Sequence, residues 1–331
     1  MPKGRISWAG TPASKMEGML SRLLAISDLH ISQNVILAPQ TRFGLGGPAL
    51  ALADASTEVA LTGAIQALER TPWTLIGGGS NLVVADEGFP GVVLRYVARG
   101  IRIHGNEVDA DAGVMLQDLV NQTIADGLRG IETMTGIPGW LGGAIYGNAG
   151  AYGHSIDERV VSVRFFDGTE VREISGLDCR FRYRESVFKT TKHWVILSVR
   201  LKMNAADPAT LKAQADGILK IRNEKYPPTM RCAGSIFKNL FLADLAESVR
   251  EQVPENVIRE GKVPSAFFLD QVGAKGMILG GIKVAEYHAN LLYNEGHGTA
   301  REVCQLIAIL RDRVWQSYGL MLEEEVQYVG K

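Results

Sequence analysis

Residues 136–153, GIPGWLGGAIYGNAGAYG, carry seven glycines in eighteen positions. Each glycine inside regular structure costs roughly 0.5–1 kcal/mol relative to alanine, so such a cluster is tolerable where the backbone must take positive φ or where another body comes close. Two readings follow: tight turns between short strands, or a wall of bare backbone against a flat, bulky ligand. A second run bears on the choice. TLIGGGSNLVVAD, with Gly77, Gly78, Gly79, Ser80 and Asn81, reads as strand, glycine turn, strand. The dinucleotide fingerprint G-x-G-x-x-G needs a helix after its turn, and this run also lacks the final glycine, which disfavours a standard Rossmann fold.

The rest of the chain mixes both element types. Helices are predicted in EVALTGAIQALE, in MLQDLVNQTIADG with Gly127 as its stop, in PATLKAQADGILKIRNEKYPP up to Pro227 and Pro228, and in TAREVCQLIAILRDRVWQSYG with Thr299 as N-cap and Gly319 at C′. Strands are predicted in GVVLRYV, IRIHGNEVDADAG and HWVILSVRLKMN, with a hairpin around Asp167-Gly168. CAGSIFKN reads as a turn, and LMLEEEVQYVG as a closing strand. SKMEGMLSRLLAIS is the first stretch with helical apolar spacing, and the residues before Met16 read as a leader or a misassigned start. The pattern predicts an α+β protein of two or three domains.

Charge narrows the function classes. Lys+Arg number 35 against 36 Asp+Glu in 331 residues, a formal charge of −1, so no global field draws the chain to nucleic acid or to an anionic membrane. Any anionic ligand must be held by local cations. Cys179, Cys232 and Cys304 have no metal-ligand spacing and leave an odd count, as expected of free thiols in a reducing compartment. The six histidines, His30, His104, His154, His193, His288 and His297, show no ligand spacing either, and no catalytic metal is expected. With no signal peptide and no uninterrupted apolar run of membrane-spanning length, a cytoplasmic protein is expected.

Taken together, TRFGLGGPA (41–49), LIGGGSNLVVADEGFPGVVLR (75–95), GIETMTGIPGWLGGAIYGNAGAYG (130–153), YRESVFK (183–189), GSIFKN (234–239) and LEEEV (322–326) resemble the UDP-N-acetylenolpyruvoylglucosamine reductases, flavoenzymes of bacterial peptidoglycan synthesis. The resemblance runs from Thr41 to Gly330. It implies an FAD-binding fold of the vanillyl-alcohol-oxidase/PCMH type in two subdomains plus a C-terminal α+β substrate domain. The boundaries it suggests are 1–40 for an N-terminal leader and helix, 41–204 for the FAD-binding domain (subdomains 41–72 and 73–204), 213–318 for the substrate domain, and 319–331 for a strand returning to the active site. It implies non-covalent FAD, with Gly77, Gly78, Gly79, Ser80 and Asn81 as a pyrophosphate nest and Gly142, Gly143, Ala144, Asn148 and Ala149 as a wall along the flavin. NADPH is the implied co-substrate and UDP-N-acetylglucosamine-enolpyruvate the implied substrate.

The same resemblance implies roles for three residues. Ser235 matches the serine that protonates the reduced enolpyruvyl carbon, Arg184 the arginine that stabilises charge on the substrate carboxylate, and Glu325 the active-site glutamate. Glu325 beside a substrate carboxylate would be a like-charge pair, which favours its protonated form. Arg222, Lys225 and Lys238, with the amide of Asn239, are the candidate anion ligands; read alone, the lysines and arginine are ordinary solvated helix charges. About fifty residues separate Arg184 from Ser235, which leaves no room for an additional tyrosine-bearing loop and marks the shorter, second type of the family. Leu240 stands where the family usually has proline, and RCAGS where Pro-Ser is common. Partners are expected to be small molecules, not nucleic acid or membrane, for a monomeric protein. Two other readings use the same motifs: an oxidase of the vanillyl-alcohol-oxidase type with His154 as a covalent anchor, and a flavin-binding protein without turnover.

Overall fold

The computed structural model describes residues 13–330, with side chains from Glu17 onward; the expected leader over 1–15 falls largely outside the described residues. The chain divides into two compact units. One takes in the residues up to Ile36, Pro48–Gly78 and Phe89–Ile221; the other takes in Leu37–Gly47, Gly79–Gly88 and the residues from Arg222 onward.

The first unit is built on two larger sheets, with two two-stranded pairs beside them. A four-stranded sheet has the order Leu29–Ile36, Pro48–Ala55, Phe89–Tyr96, Trp73–Leu75, with the first pair antiparallel and the other two parallel. The strand Pro48–Ala55, PALALADA, buries Ala49, Ala51, Ala53 and Ala55 completely. Its small side chains leave space for the helix Glu58–Leu68, which buries Ala60, Leu61, Ala64 and Leu68 and is capped at its start by the Thr57 hydroxyl, an acceptor for the Ala60 N–H. The second sheet is antiparallel and five-stranded, in the order Val171–Ser175, Val160–Phe166, Val195–Lys202, Glu107–Asp111, Ile101–His104. The expected hairpin closes through Asp167, whose carboxylate accepts from the N–H groups of Thr169 and Glu170.

The second unit is built on an antiparallel sheet, Cys232–Ser235, His288–Asn294, Ile282–Ala285, Ile278–Leu279. The helix Ala300–Tyr318 buries Ala300, Val303, Leu306, Ile307, Leu310 and Val314, a spacing of three and four that presents one apolar face to the core. Its ends are those read in the sequence: Thr299 and Glu302 form a capping box, and Gly319 is left-handed at φ +64°.

Three expectations change. A strand, Leu29–Ile36, occupies part of the segment expected to hold only a leader and a helix; its half-exposed, polar-rich sequence, LHISQNVI, is held in extended form by pairing along Pro48–Ala55. CAGSIFKN is a strand over Cys232–Ser235 before it turns, because it pairs with His288–Asn294 through an irregular register. The closing strand is confined to Gln327–Val329, paired parallel to Leu82–Val84, while the acidic residues before it make one isolated bridge, Glu324 to Phe237.

Candidate active site

In the first unit the glycine-rich segment folds as a loop and a six-residue helix, Leu141–Tyr146. Its first turn is tied down by the Leu141 N–H donating to the Val114 carbonyl and the Gly142 N–H to the Ala112 carbonyl, both at 2.8 Å. The glycines then differ. A Cβ on Gly142 would lie 3.0 Å from the Ala112 Cβ and 3.2 Å from its carbonyl oxygen, whereas one on Gly143 meets nothing within 4 Å. Gly142 is small because the protein packs on itself there; Gly143 presents exposed backbone to open space.

Beyond that helix, Asn148 takes the left-handed conformation at φ +42°, and so do Tyr152 at +54° and Arg184 at +58°. For side chains other than glycine such backbone costs of the order of 1–3 kcal/mol each, and it persists where surrounding contacts hold it. Those contacts are present. The buried Asn148 amide donates to the Arg182 carbonyl at 3.0 Å, and the Ser186 hydroxyl donates to the Tyr146 carbonyl at 2.8 Å. The Arg184 guanidinium donates to the carbonyl oxygens of Asn148 (3.3 Å) and Gly150 (3.0 Å) and lies 5.2 Å from the Tyr183 ring centroid. Lys189 closes the loop from below through the Arg184 carbonyl, 2.9 Å, and the Glu185 carboxylate. Arg184 is thus brought together with Asn148 and Ala149. Ser186, Lys189 and Tyr183 were missed as supports, although YRESVFK contains all of them. Burial, with Glu185 nearby, raises the Tyr146 phenol above its usual range.

The GGGSN run crosses the boundary of the two units in sequence. In the first, a Cβ on Gly78 would meet the Trp140 ring at 3.0 Å and the Gly139 Cα at 3.1 Å, so these two glycine-rich loops touch each other. In the second, Gly79 is left-handed at φ +63°, and a Cβ on it would meet the Gln40 carbonyl oxygen at 2.1 Å. The Gly79 carbonyl accepts from the Arg42 N–H. No acceptor among the described residues pairs with the N–H groups of Gly77 to Ser80.

In the second unit the acidic C-terminal segment runs alongside GSIFKN. The Glu325 N–H donates to the Ile236 carbonyl at 2.7 Å and the Lys238 N–H to the Glu323 carbonyl at 2.9 Å, while the Asn81 amide donates to the Glu325 carbonyl at 3.1 Å. Glu325 therefore sits beside the residue next to Ser235. Asn290, 2 % exposed, holds the other side: its amide exchanges two hydrogen bonds with the Phe237 main chain, at 2.9 and 2.8 Å, and its own carbonyl accepts from the Ile236 N–H. The buried Ser265 hydroxyl donates to the Lys238 carbonyl at 2.6 Å, and the Ser265 N–H reaches the Asn239 side-chain oxygen at 3.4 Å. The Lys238 ammonium is directed to the Glu323 carboxylate.

Arg222 and Lys225 come together around Tyr226, with the Arg222 guanidinium 5.6 Å and the Lys225 ammonium 5.3 Å from its ring centroid. The Tyr226 and Ser235 hydroxyl oxygens are 3.4 Å apart. His288, whose Nδ1 accepts from the Asn290 N–H, is held down to a pKa of about 4 by burial first and by the Lys225 charge second. Asn290, Ser265, Tyr226 and His288 were not picked out as site residues in the sequence; Asn290, Ser265 and His288 lie on a distant strand or helix, Tyr226 follows the helix Pro208–Lys225 nine residues before Ser235, and none carries a local signature.

Among the described residues no group of three or more His, Cys, Asp and Glu is placed to hold a metal ion, and no helix is long and apolar enough to cross a membrane. His154 is exposed and pairs with the Glu158 carboxylate at 3.0 Å.

Family models match in two places: an FAD binding domain over residues 48–173, and the C-terminal domain of UDP-N-acetylenolpyruvoylglucosamine reductase over residues 226–329. A UDP-N-acetylenolpyruvoylglucosamine reductase from Solibacter usitatus is 53 % identical over 311 residues, which is 93 % of this chain and all of that protein. The chain belongs to the UDP-N-acetylenolpyruvoylglucosamine reductase family. A reductase of the same name from Lactococcus lactis is 32 % identical over 92 % of this chain and 97 % of that protein. The crystal structure of the Thermus caldophilus reductase (MurB) superposes with a TM-score of 0.73 at 26 % identity, covering 91 % of this chain and 99 % of that one. The family member described here is therefore an FAD-dependent oxidoreductase with the expected fold, and the oxidase reading of its motifs is not favoured. Its residues fit the cofactor: the open backbone at Gly143 and the unpaired N–H groups of Gly77 to Ser80 are what a flat ring and a pyrophosphate require.

Proposed function

We propose that this reductase converts UDP-N-acetylglucosamine-enolpyruvate to UDP-N-acetylmuramate through Arg184, Ser235 and Glu325. The observation that supports the assignment is the main-chain pairing of the C-terminal segment with GSIFKN, Glu325 N–H to the Ile236 carbonyl, the residue after Ser235. FAD, when bound, would supply the hydride chemistry, taking the hydride from NADPH for the methylene carbon of the enolpyruvyl group. Arg184 stabilises the charge that then builds toward the substrate carboxylate; a guanidinium already oriented by two carbonyl oxygens does so without reorganising. Ser235 gives its proton to the adjacent carbon. Glu325, carried on the segment that pairs with GSIFKN, is the third residue of the set.

Arg222 and Lys225 collect the phosphates, with Lys238 and Asn239 shaping the strand that carries Ser235. Gly77, Gly78, Gly79, Ser80 and Asn81 hold the pyrophosphate of non-covalent FAD, and Gly142, Gly143, Ala144, Asn148 and Ala149 line its ring. In this reading 41–204 is the FAD-binding domain, 213–318 the substrate domain and 319–331 the segment that returns to the site. The enzyme works as a cytoplasmic monomer without a nucleic-acid partner, in the pathway that serves cell shape and division.

Stopped-flow absorbance of the flavin tests the assignment. Ser235→Ala is expected to leave reduction by NADPH unchanged and to slow re-oxidation by the enolpyruvyl substrate by about 10²–10⁴-fold, the usual cost of losing a positioned general acid. Re-oxidation within about threefold of the parent removes Ser235 from the chemistry.

A further inference from the structure

A serine that gives up its proton must regain one, and in the second unit the group placed to supply it is the phenol of Tyr226. Its oxygen lies 3.4 Å from the Ser235 hydroxyl, the long edge of a hydrogen bond and a separation that closes readily when substrate fills a site. The ring is half-buried against the cluster of Cys232, Ala285 and Leu291. Arg222 and Lys225 both sit over or beside it, at 5.6 and 5.3 Å, and the His288 ring centroid is 6.3 Å away. His288 is neutral near pH 7 because burial lowers its pKa to about 4. Tyr287, Tyr293 and Cys232 are further titratable groups of the same cluster.

We propose that Tyr226 returns the proton to Ser235. The inference rests on Ser235 being the donor to the substrate carbon. As the Ser235 O–H bond breaks and the new C–H bond forms, the Tyr226 O–H bond breaks and the Ser235 O–H bond is restored; the phenolate, held by Arg222 and Lys225, then takes a proton from water. The transfer is downhill, because a serine alkoxide is a far stronger base than a phenolate. Tyr226 acts through Ser235, so it is a positioning residue whose hydroxyl, not its ring, is the part that matters.

Tyr226→Phe removes that hydroxyl and keeps the ring beneath the two cations. In stopped-flow traces it is expected to slow re-oxidation by about 3- to 10-fold, the worth of one neutral hydrogen bond, at an unchanged half-saturating substrate concentration and an unchanged rate of reduction by NADPH. In the Ser235→Ala background the same change is expected to add nothing. A raised half-saturating concentration, a multiplicative loss in the double variant, or re-oxidation at the parent rate overturns the proposal. Failure of Ser235→Ala itself to slow re-oxidation shows instead that the serine assignment beneath it is wrong. A readout without turnover comes from Ser235→Cys, alkylated with iodoacetamide across a pH series and followed by peptide mass at position 235. Adding Tyr226→Phe is expected to raise the midpoint by about 0.4–1 pH unit, because the anion at 235 loses its donor. An unchanged midpoint refutes the contact.

Discussion

A methyl group added at Gly142 and one added at Gly143 probe two different reasons for being glycine. At Gly142 the new Cβ meets the Ala112 Cβ at 3.0 Å and its backbone oxygen at 3.2 Å, so Gly142→Ala forces the strand end carrying Ala112 to move. Overpacking of this kind costs about 1–3 kcal/mol, partly offset by the roughly 0.5–1 kcal/mol by which alanine is the better helix former. The net loss, about 1–2 kcal/mol, lowers Tm by about 2–6 °C for a domain of this size. At Gly143, inside the same helix, nothing lies within 4 Å. Gly143→Ala therefore keeps the helix gain alone, and the deflavinated protein is expected to melt about 1–3 °C higher than the parent. Its affinity for FAD falls at least tenfold, and that of Gly143→Val further, because the methyl groups enter space that the flavin requires. Scanning calorimetry of deflavinated protein gives the first quantity, and FAD titration followed by tryptophan fluorescence the second. Equal destabilisation by the two alanines refutes the packing argument, and undiminished FAD affinity in Gly143→Val refutes the assignment of the open space to the cofactor.

Two further outcomes follow from the second unit. Asn290→Leu leaves the N–H and C=O of Phe237 without their side-chain partner in a buried site; stability to urea is expected to fall by about 2–4 kcal/mol, and a variant within 0.5 kcal/mol of the parent, roughly the scatter of a surface change, contradicts the role given to that amide. His288 has a folded pKa of about 4 against an ordinary value of 6.5, so between those pH values the unfolded chain binds a proton that the folded chain does not, and stability falls as pH drops through that window. The contribution is at most about 3 kcal/mol; His288→Gln is expected to flatten the urea midpoint between pH 6.5 and 4.5, and an equally steep dependence in that variant assigns the effect to other groups.

Local physics made much of the chain legible. Thr299 and Glu302 cap a helix because their side chains satisfy orphan amides three residues away, and Gly319 ends it because only glycine enters the left-handed region without penalty. Asp167 closes a hairpin with its own neighbours. The order of glycine-rich and charged motifs was enough to indicate the family, the cofactor and the residues to examine. What the chain needs from distant segments was not visible. Leu29–Ile36 has no strong strand pattern and is extended because Pro48–Ala55 offers it a ladder. Gly142 and Gly143 are adjacent and identical in sequence, yet Ala112 stands against one of them alone. Arg184 is aimed by carbonyl groups 36 and 34 residues earlier. Asn290 reaches Phe237 across 53 residues, and Tyr226 meets Ser235 only because the strand Cys232–Ser235 returns against the end of the helix Pro208–Lys225. Hydrogen-bond geometry and close packing act over a few ångströms in space, and the fold alone decides which residues come within that range.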